Sequence, residues 1–187
     1  MTSSSAGVSA SLGRVLDGYR PATGTEAADL VRVRALLATA PDPWRRDIPL
    51  HLTASAIVVH PPTGRVLLRW HDRVQAWLHV GGHGDPGESD PVAIALREAS
   101  EETGLTDLKP WPGPDLVQLS VVPVSAGKGE PAHEHADLRY ALATGEPDAA
   151  RPESPTTPLR WLSIVDALAI VDLGLQPALG RVGALLP

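Results

Sequence analysis

The apolar residues of this chain change period along its length, and those changes divide it into elements. Leu30, Val31, Val33, Leu36 and Leu37 recur at helical spacing. Thr25 or Gly24 can cap this helix, which runs to about Thr39, and Pro41 and Pro43 stop it. A shorter helix is expected around Val8 to Tyr19. From His51 the pattern becomes that of strands: His51 to His60, the turn Pro61-Pro62-Thr63-Gly64, then Arg65 to Trp70. Ala76 to Val80 is a short strand leading into Gly81-Gly82. Asp90 as N-cap, Pro91 at the first helical position and Gly104 as C-terminal cap bound a helix from Pro91 to Thr103. Val92, Ala95, Leu96, Ala99 and Thr103 form its stripe for burial. Asp115 to Val124 and Glu134 to Ala143 read as strands joined by the turn Ser125 to Gly129. A proline-rich loop, Glu146 to Pro158, precedes a last strand at Leu159 to Leu162, a helix at Ile164 to Val171 and an apolar turn around Leu175 to Leu186. Strands mixed with a few helices, without regular βαβ alternation, predict an α+β fold.

Composition narrows the function classes. At 187 residues, 43% hydrophobic and 20% charged, the chain is long enough to bury one proper core. A net charge of −6 gives no basic surface for nucleic acid or an anionic membrane. No cysteine is present, which removes disulfides, thiolate metal sites and thiol nucleophiles. The first twenty residues lack a basic start followed by an apolar run, and no apolar stretch is long enough to span a bilayer, so a cytoplasmic protein is expected.

The helix from Pro91 to Thr103 also carries the candidate chemistry. Glu98, Glu101 and Glu102 share one edge beside the glycine-rich loop Gly81 to Gly87. Glu98 faces both Glu101 and Glu102, and such like-charge pairs weaken a bare helix by roughly 0.2–0.5 kcal/mol each. Arg97 offsets part of this; a hard divalent cation with oxygen ligands would offset much more.

Gly82, Glu88, Arg97, Glu98, Glu101, Glu102, Gly104 and Leu105 stand in an order that resembles the Nudix box, G-x5-E-x7-R-E-U-x-E-E-x-G-U. There are two departures: eight residues instead of seven separate Glu88 from Arg97, and Ala99 takes the aliphatic place. The resemblance covers roughly residues 48 to 172, so 1–47 reads as an N-terminal helical extension and 48–187 as a Nudix hydrolase domain. It implies an α/β/α sandwich around a mixed sheet. It implies Mg²⁺, with Mn²⁺ as a substitute, held by Glu98, Glu101, Glu102 and the Gly82 carbonyl. Catalytic roles fall to Glu98, Glu101 and Arg97, with Arg97 and Glu88 forming a salt bridge that aims the helix. The implied reaction is attack of a metal-activated water on the diphosphate of a nucleoside diphosphate linked to another group. A catalytically inactive nucleotide sensor is the alternative. A Nudix-type isopentenyl diphosphate isomerase normally needs a cysteine, and a Nudix-like regulator a basic DNA-binding module; the chain supplies neither.

Three questions stay open on sequence alone. The general base is Glu98 itself or a residue from a distant loop, Glu130 or Glu134. Alternation places His133, His135, Asp137 and Arg139 on one strand face, which either lines the substrate cleft with His135, Asp137, Arg139 and Arg69 as contacts, or forms an internal hydrogen-bond network. The apolar side of the helix at Leu30 to Leu37 must be covered by the core or by a second copy of the chain, as in a homodimer.

Overall fold

The computed structural model describes residues 5–127 and 129–187, with side chains placed for 11–127 and 129–187. At its centre β1 (Leu50–His60) and β7 (His133–Ala143) run parallel, from Leu50 opposite Glu134 to Val59 opposite Ala143. All other pairings in this eight-stranded sheet are antiparallel. β2 (Arg65–His71) and β4 (Val80–Gly82) pair with β1, while β5 (Lys109–Pro110) and β6 (Gln118–Val124) pair with β7. β3 (Ala76–Leu78) and β8 (Leu159–Ser163) both pair with β2.

The near-continuous apolar run of β1 follows from burial on both faces. Leu52, Ala54, Ala56 and Val58 join Ile94, Ala95 and Ala99 of α3 (Pro91–Thr103) in one core. Ile57 and Val59 point the other way, to Ala167 of α4 (Ile164–Ile170) and Ala178, Leu179 and Val182 of α5 (Gln176–Gly183). The result is the α/β/α arrangement around a mixed sheet. α1 (Ser5–Gly18) and α2 (Gly24–Thr39) precede the sheet, and Leu12, Leu16, Tyr19 and Val33 enter the core that α3 shares. α2 meets the β6 edge, where the Val121 N–H donates to Asp29 at 2.9 Å. No helix among the described residues is long and apolar enough to cross a membrane.

Several expectations are corrected by packing that is not local in sequence. The N-cap of α2 is Thr23, whose hydroxyl accepts the Glu26 N–H at 3.1 Å, rather than Gly24 or Thr25. Val31 is 68% exposed and not part of the buried side of α2, which centres on Val33 with Leu30, Leu36 and Leu37 packed against the core. The expected strand Ala76 to Val80 breaks at His79 into β3 and β4, because the chain leaves β2 there to pair with β1. The apolar segment near the C-terminus is the helix α5, and Lys128 of the expected turn lies outside the described residues.

The helix that carries the glutamates has the boundaries its sequence predicts. Asp90 accepts the N–H groups of Val92 and Ala93, and Gly104 closes the other end at φ 68°. An N-cap of this kind contributes about 1 kcal/mol. The proline-rich loop is tied to the same helix end, since the Arg151 N–H donates to the Thr103 carbonyl at 2.7 Å.

Candidate active site

Two glycines bring β4 against α3. Gly81 has φ 142°, and a Cβ there would stand 2.4 Å from the Ser55 Cα, inside the neighbouring strand. Its N–H donates to Glu102 Oε2 at 3.0 Å. At Gly82 a Cβ would meet Glu98 Oε2 at 2.6 Å, so the absence of a side chain lets that carboxylate lie against the loop backbone.

Arg97 organises the other flank. Its Nε and Nη2 grip Glu88 at 2.9–3.2 Å, Nη2 also donates to the His83 carbonyl at 2.9 Å, and Nη1 reaches Glu98 at 3.0 Å and Glu101 at 3.2 Å. The additional residue in the motif falls ahead of the helix, whose cap is Asp90, and Glu88 still closes onto Arg97 from the loop. The Arg97 hydrogen bonds hold the Glu88 carboxyl below its usual range. They cannot do so for Glu98, because one guanidinium is shared among three carboxylates; burial pushes Glu98 up instead.

Glu102 occupies the inner flank. Arg69 Nη1 forms an ion pair with it at 3.2 Å while Nη2 donates to Glu153, also at 3.2 Å. Burial nevertheless raises the Glu102 carboxyl to about 7, with the nearby Glu98 charge adding to the rise and Arg69 and the Gly81 N–H opposing it. Six carboxylates, Asp85, Glu88, Glu98, Glu101, Glu102 and Glu153, draw on two guanidiniums, Arg69 and Arg97, so negative charge is in clear surplus when all are ionised. Hard oxygen donors carrying that surplus fit Mg²⁺ or Mn²⁺.

The other expected contacts separate into different environments. Arg69 does stand beside Glu102. Asp137 and Arg139, expected at the cleft, are 5% and 4% exposed and lie on the sheet face away from α3. Asp137 accepts from Ser55 at 2.6 Å, Thr53 at 3.1 Å and Arg139 Nε at 2.8 Å, and pairs with His79 at 3.0 Å. Arg139 also donates to Gln118 and to the Gly174 carbonyl, each at 2.8 Å. Burial alone would raise the Asp137 carboxyl, but Arg139, His79 and the Ser55 hydroxyl hold it well below the usual carboxylate range. The internal network is therefore what this part of the face forms. His79 was not among the residues singled out by sequence; it sits at the one-residue break between β3 and β4, and no local pattern marks it.

His135 belongs instead to a histidine cluster with His51, His83 and His133 at the start of β1 and β7. Of the two distant base candidates, Glu134 is paired with Arg32 of α2, and Glu130 is exposed in the 127–130 turn.

The family model described as the NUDIX domain matches residues 49–181. A protein from Lactococcus lactis subsp. cremoris, named as a probable DHNTP pyrophosphohydrolase, is 32% identical over 135 residues, covering 71% of this chain and 79% of that protein. Among solved structures, a C. elegans Ap4A hydrolase binary complex superposes with a TM-score of 0.57 at 21% identity, covering 72% of this chain and 96% of its own. The E. coli dihydroneopterin triphosphate pyrophosphohydrolase does so with a TM-score of 0.52 at 17% identity, covering 70% and 92%. These two share the fold. With the motif, the α/β/α sheet and a match over most of the chain in agreement, this protein belongs to the Nudix hydrolase family.

Proposed function

We propose that this protein hydrolyses a phosphoanhydride bond in a nucleoside diphosphate joined to another group, with Mg²⁺ as the working ion and Mn²⁺ as a competent substitute. Glu98, Glu101, Glu102 and the Gly82 carbonyl would hold the metal. The observation that carries this reading is the carboxylate group itself: Glu98, Glu101 and Glu102 lie on one helix edge, with Glu98 and Glu102 against the Gly81-Gly82 backbone, in a cluster whose negative charges outnumber its cations. Such a group is poorly compensated by the protein alone, and a divalent ion completes it. When bound, the metal supplies positive charge against the phosphate oxygens and lowers the pKa of a coordinated water.

The protein's own side chains divide the remaining work. Arg97 fixes Glu88, Glu98 and the His83 carbonyl together, which sets the loop bearing Gly82 against α3. Arg69 restrains Glu102 in the carboxylate row. Glu98, raised by burial and in contact with the glycine loop, is the base candidate best placed to take a proton from the attacking water. Glu134, engaged by Arg32, is poorly placed for that role. The Lactococcus relative named as a pyrophosphohydrolase favours an enzyme over a sensor.

The test is a panel of nucleotide sugars, dinucleoside polyphosphates, nucleoside triphosphates and dihydroneopterin triphosphate, assayed with and without Mg²⁺. At least one should be hydrolysed only with metal. Glu102→Gln should lower kcat/KM by about 100-fold or more, the scale on which loss of one electrostatic contact to the transition state acts. Wild-type turnover by a folded Glu102→Gln protein would overturn the metal assignment. Metal-dependent nucleotide binding with no hydrolysis across the panel would instead establish the sensor.

A further inference from the structure

The end of the sheet where β1 and β7 begin gathers imidazoles for which the proposed hydrolysis has no use. Parallel register sets His51 directly beside His135, and His133 stands two residues away on the same strand face. The loop leaving β4 adds His83, whose ring lies 5.1 Å from that of His51 and 4.7 Å from that of His135. His51 is buried, and His133 and His135 are half-buried.

Their hydrogen bonds fix where the lone pairs point. His51 Nδ1 is 2.9 Å from the Ile48 carbonyl and His133 Nδ1 is 2.9 Å from the Pro131 carbonyl. A carbonyl only accepts, so both Nδ1 atoms carry the proton and both Nε2 atoms present a lone pair. Each lone pair faces another imidazole: His51 Nε2 meets His83 Nε2 at 3.1 Å, and His133 Nε2 meets His135 Nε2 at 3.2 Å. A backbone carbonyl on the far nitrogen is the support that ligating histidines ordinarily have, since it fixes both tautomer and ring direction.

We propose that His51, His133 and His135 form a binding site for a transition-metal dication such as Zn²⁺, separate from the carboxylate site that takes Mg²⁺. One candidate ligand atom from each residue lies within 4.8 Å of the others. Two nitrogens on a tetrahedral zinc, each about 2.0–2.1 Å from the ion, are about 3.3–3.4 Å apart. His133 and His135 stand close to that separation at 3.2 Å, and the metal takes the place of the proton that His135 donates to His133, which moves to Nδ1 of the neutral His135 ring. His51 closes the set from the neighbouring strand, and the fourth position is left for water. Imidazole nitrogen is the donor that zinc, nickel and copper accept and that magnesium does not favour. Burial lowers the pKa of His51, and lowers that of His135 to about 4, so both rings are neutral at neutral pH and metal binding releases no net proton from them. Of the charged groups nearby, Asp137 and Glu130 favour a bound cation and Arg46 opposes it.

The experiment is calorimetric titration of the metal-stripped full chain with Zn²⁺ in saturating Mg²⁺, which keeps the carboxylates occupied, followed by Co²⁺ absorption as a report on coordination by nitrogen. Expected are one tight equivalent of zinc, a higher melting temperature with zinc bound, and the intense visible bands of four-coordinate cobalt. His133→Ala should weaken zinc by at least about 10–100-fold, since losing a ligand costs no less than losing its outer-shell support. Glu102→Gln should leave zinc binding unchanged. Because His133 is half-exposed, its variant is expected to melt as the wild type does in chelator, and His135→Asn provides an independent second removal. The proposal is overturned if no zinc binds, if both histidine variants bind zinc as the wild type does, or if zinc is lost in Glu102→Gln and displaced by Mg²⁺.

Discussion

Replacing Glu102 by Gln should make the metal-free protein more stable at alkaline pH and leave it little changed in acid. The folded carboxyl titrates at about 7, against about 4.3 for a glutamate in an unfolded chain. A raised carboxyl favours the folded state while it is protonated. That contribution is complete below pH 4.3 and is lost as pH rises through 7. At 1.36 kcal/mol for each pH unit between the two values, the full swing is about 3.7 kcal/mol. Gln keeps an oxygen for the Gly81 N–H and loses the attraction of Arg69, so part of the gain is returned. Removing the Glu102 charge also eases ionisation of Glu98, which acts in the same direction as the main effect. Urea unfolding of both proteins in chelator, at steps from pH 5 to pH 8, should show the variant gaining on the wild type by roughly 2–3 kcal/mol, with the gain accruing between pH 5 and pH 7 and levelling off above. Saturating Mg²⁺ should then recover the wild type selectively, by about 2.7 kcal/mol at a hundred times its Kd. A stability difference that stays flat with pH would refute the assigned burial of Glu102.

The two glycines should respond differently to alanine. At Gly81 the new Cβ strikes the Ser55 backbone at a φ that side chains avoid, so a loss of about 3 kcal/mol or more in a thermal or urea melt is expected; at Gly82 it meets the movable end of Glu98, so kcat/KM should fall while stability changes by about 1 kcal/mol or less. Arg139→Ala strands the buried Asp137 charge and should cost about 3–5 kcal/mol of stability, and a variant that melts like the wild type would restore the cleft reading of that strand face.

What the sequence discloses here is what depends on neighbours in the chain. Asp90, Pro91 and Gly104 mark the ends of α3 because caps are local, and the box spacing carries Glu88 to Arg97 across an added residue because the addition falls in a loop. Alternation correctly groups His133, His135, Asp137 and Arg139 on one face, yet it does not say what that face meets. The answer depends on register with β1. The strand opposite supplies His51 at one step and Thr53 and Ser55 at the next two, so adjacent members of a single row become a histidine cluster and an internal ion pair. His79 completes the pair from the break between β3 and β4, and Gln118 donates to Glu26 of α2 at 3.3 Å to extend the network outward. None of these partners lies close enough in sequence for periodicity to register it.

The parallel pairing of β1 and β7 also fixes when the active site can exist during synthesis. Thr53 and Asp137, bonded across those strands, are 84 positions apart, and β2, β4 and α3 all lie in the loop between them. At the usual 5–20 residues per second, β1 waits roughly 4–17 s for the strand that covers its long edge. During that wait α3 can form from its own caps, and the hairpin of β1 and β2 from its own turn. The row of glutamates is then laid out before the sheet that desolvates it. A nascent chain stalled before β7 would display an apolar strand with one open edge and a set of solvated carboxylates of ordinary acidity, a species suited to capture by a chaperone and unsuited to hydrolysis.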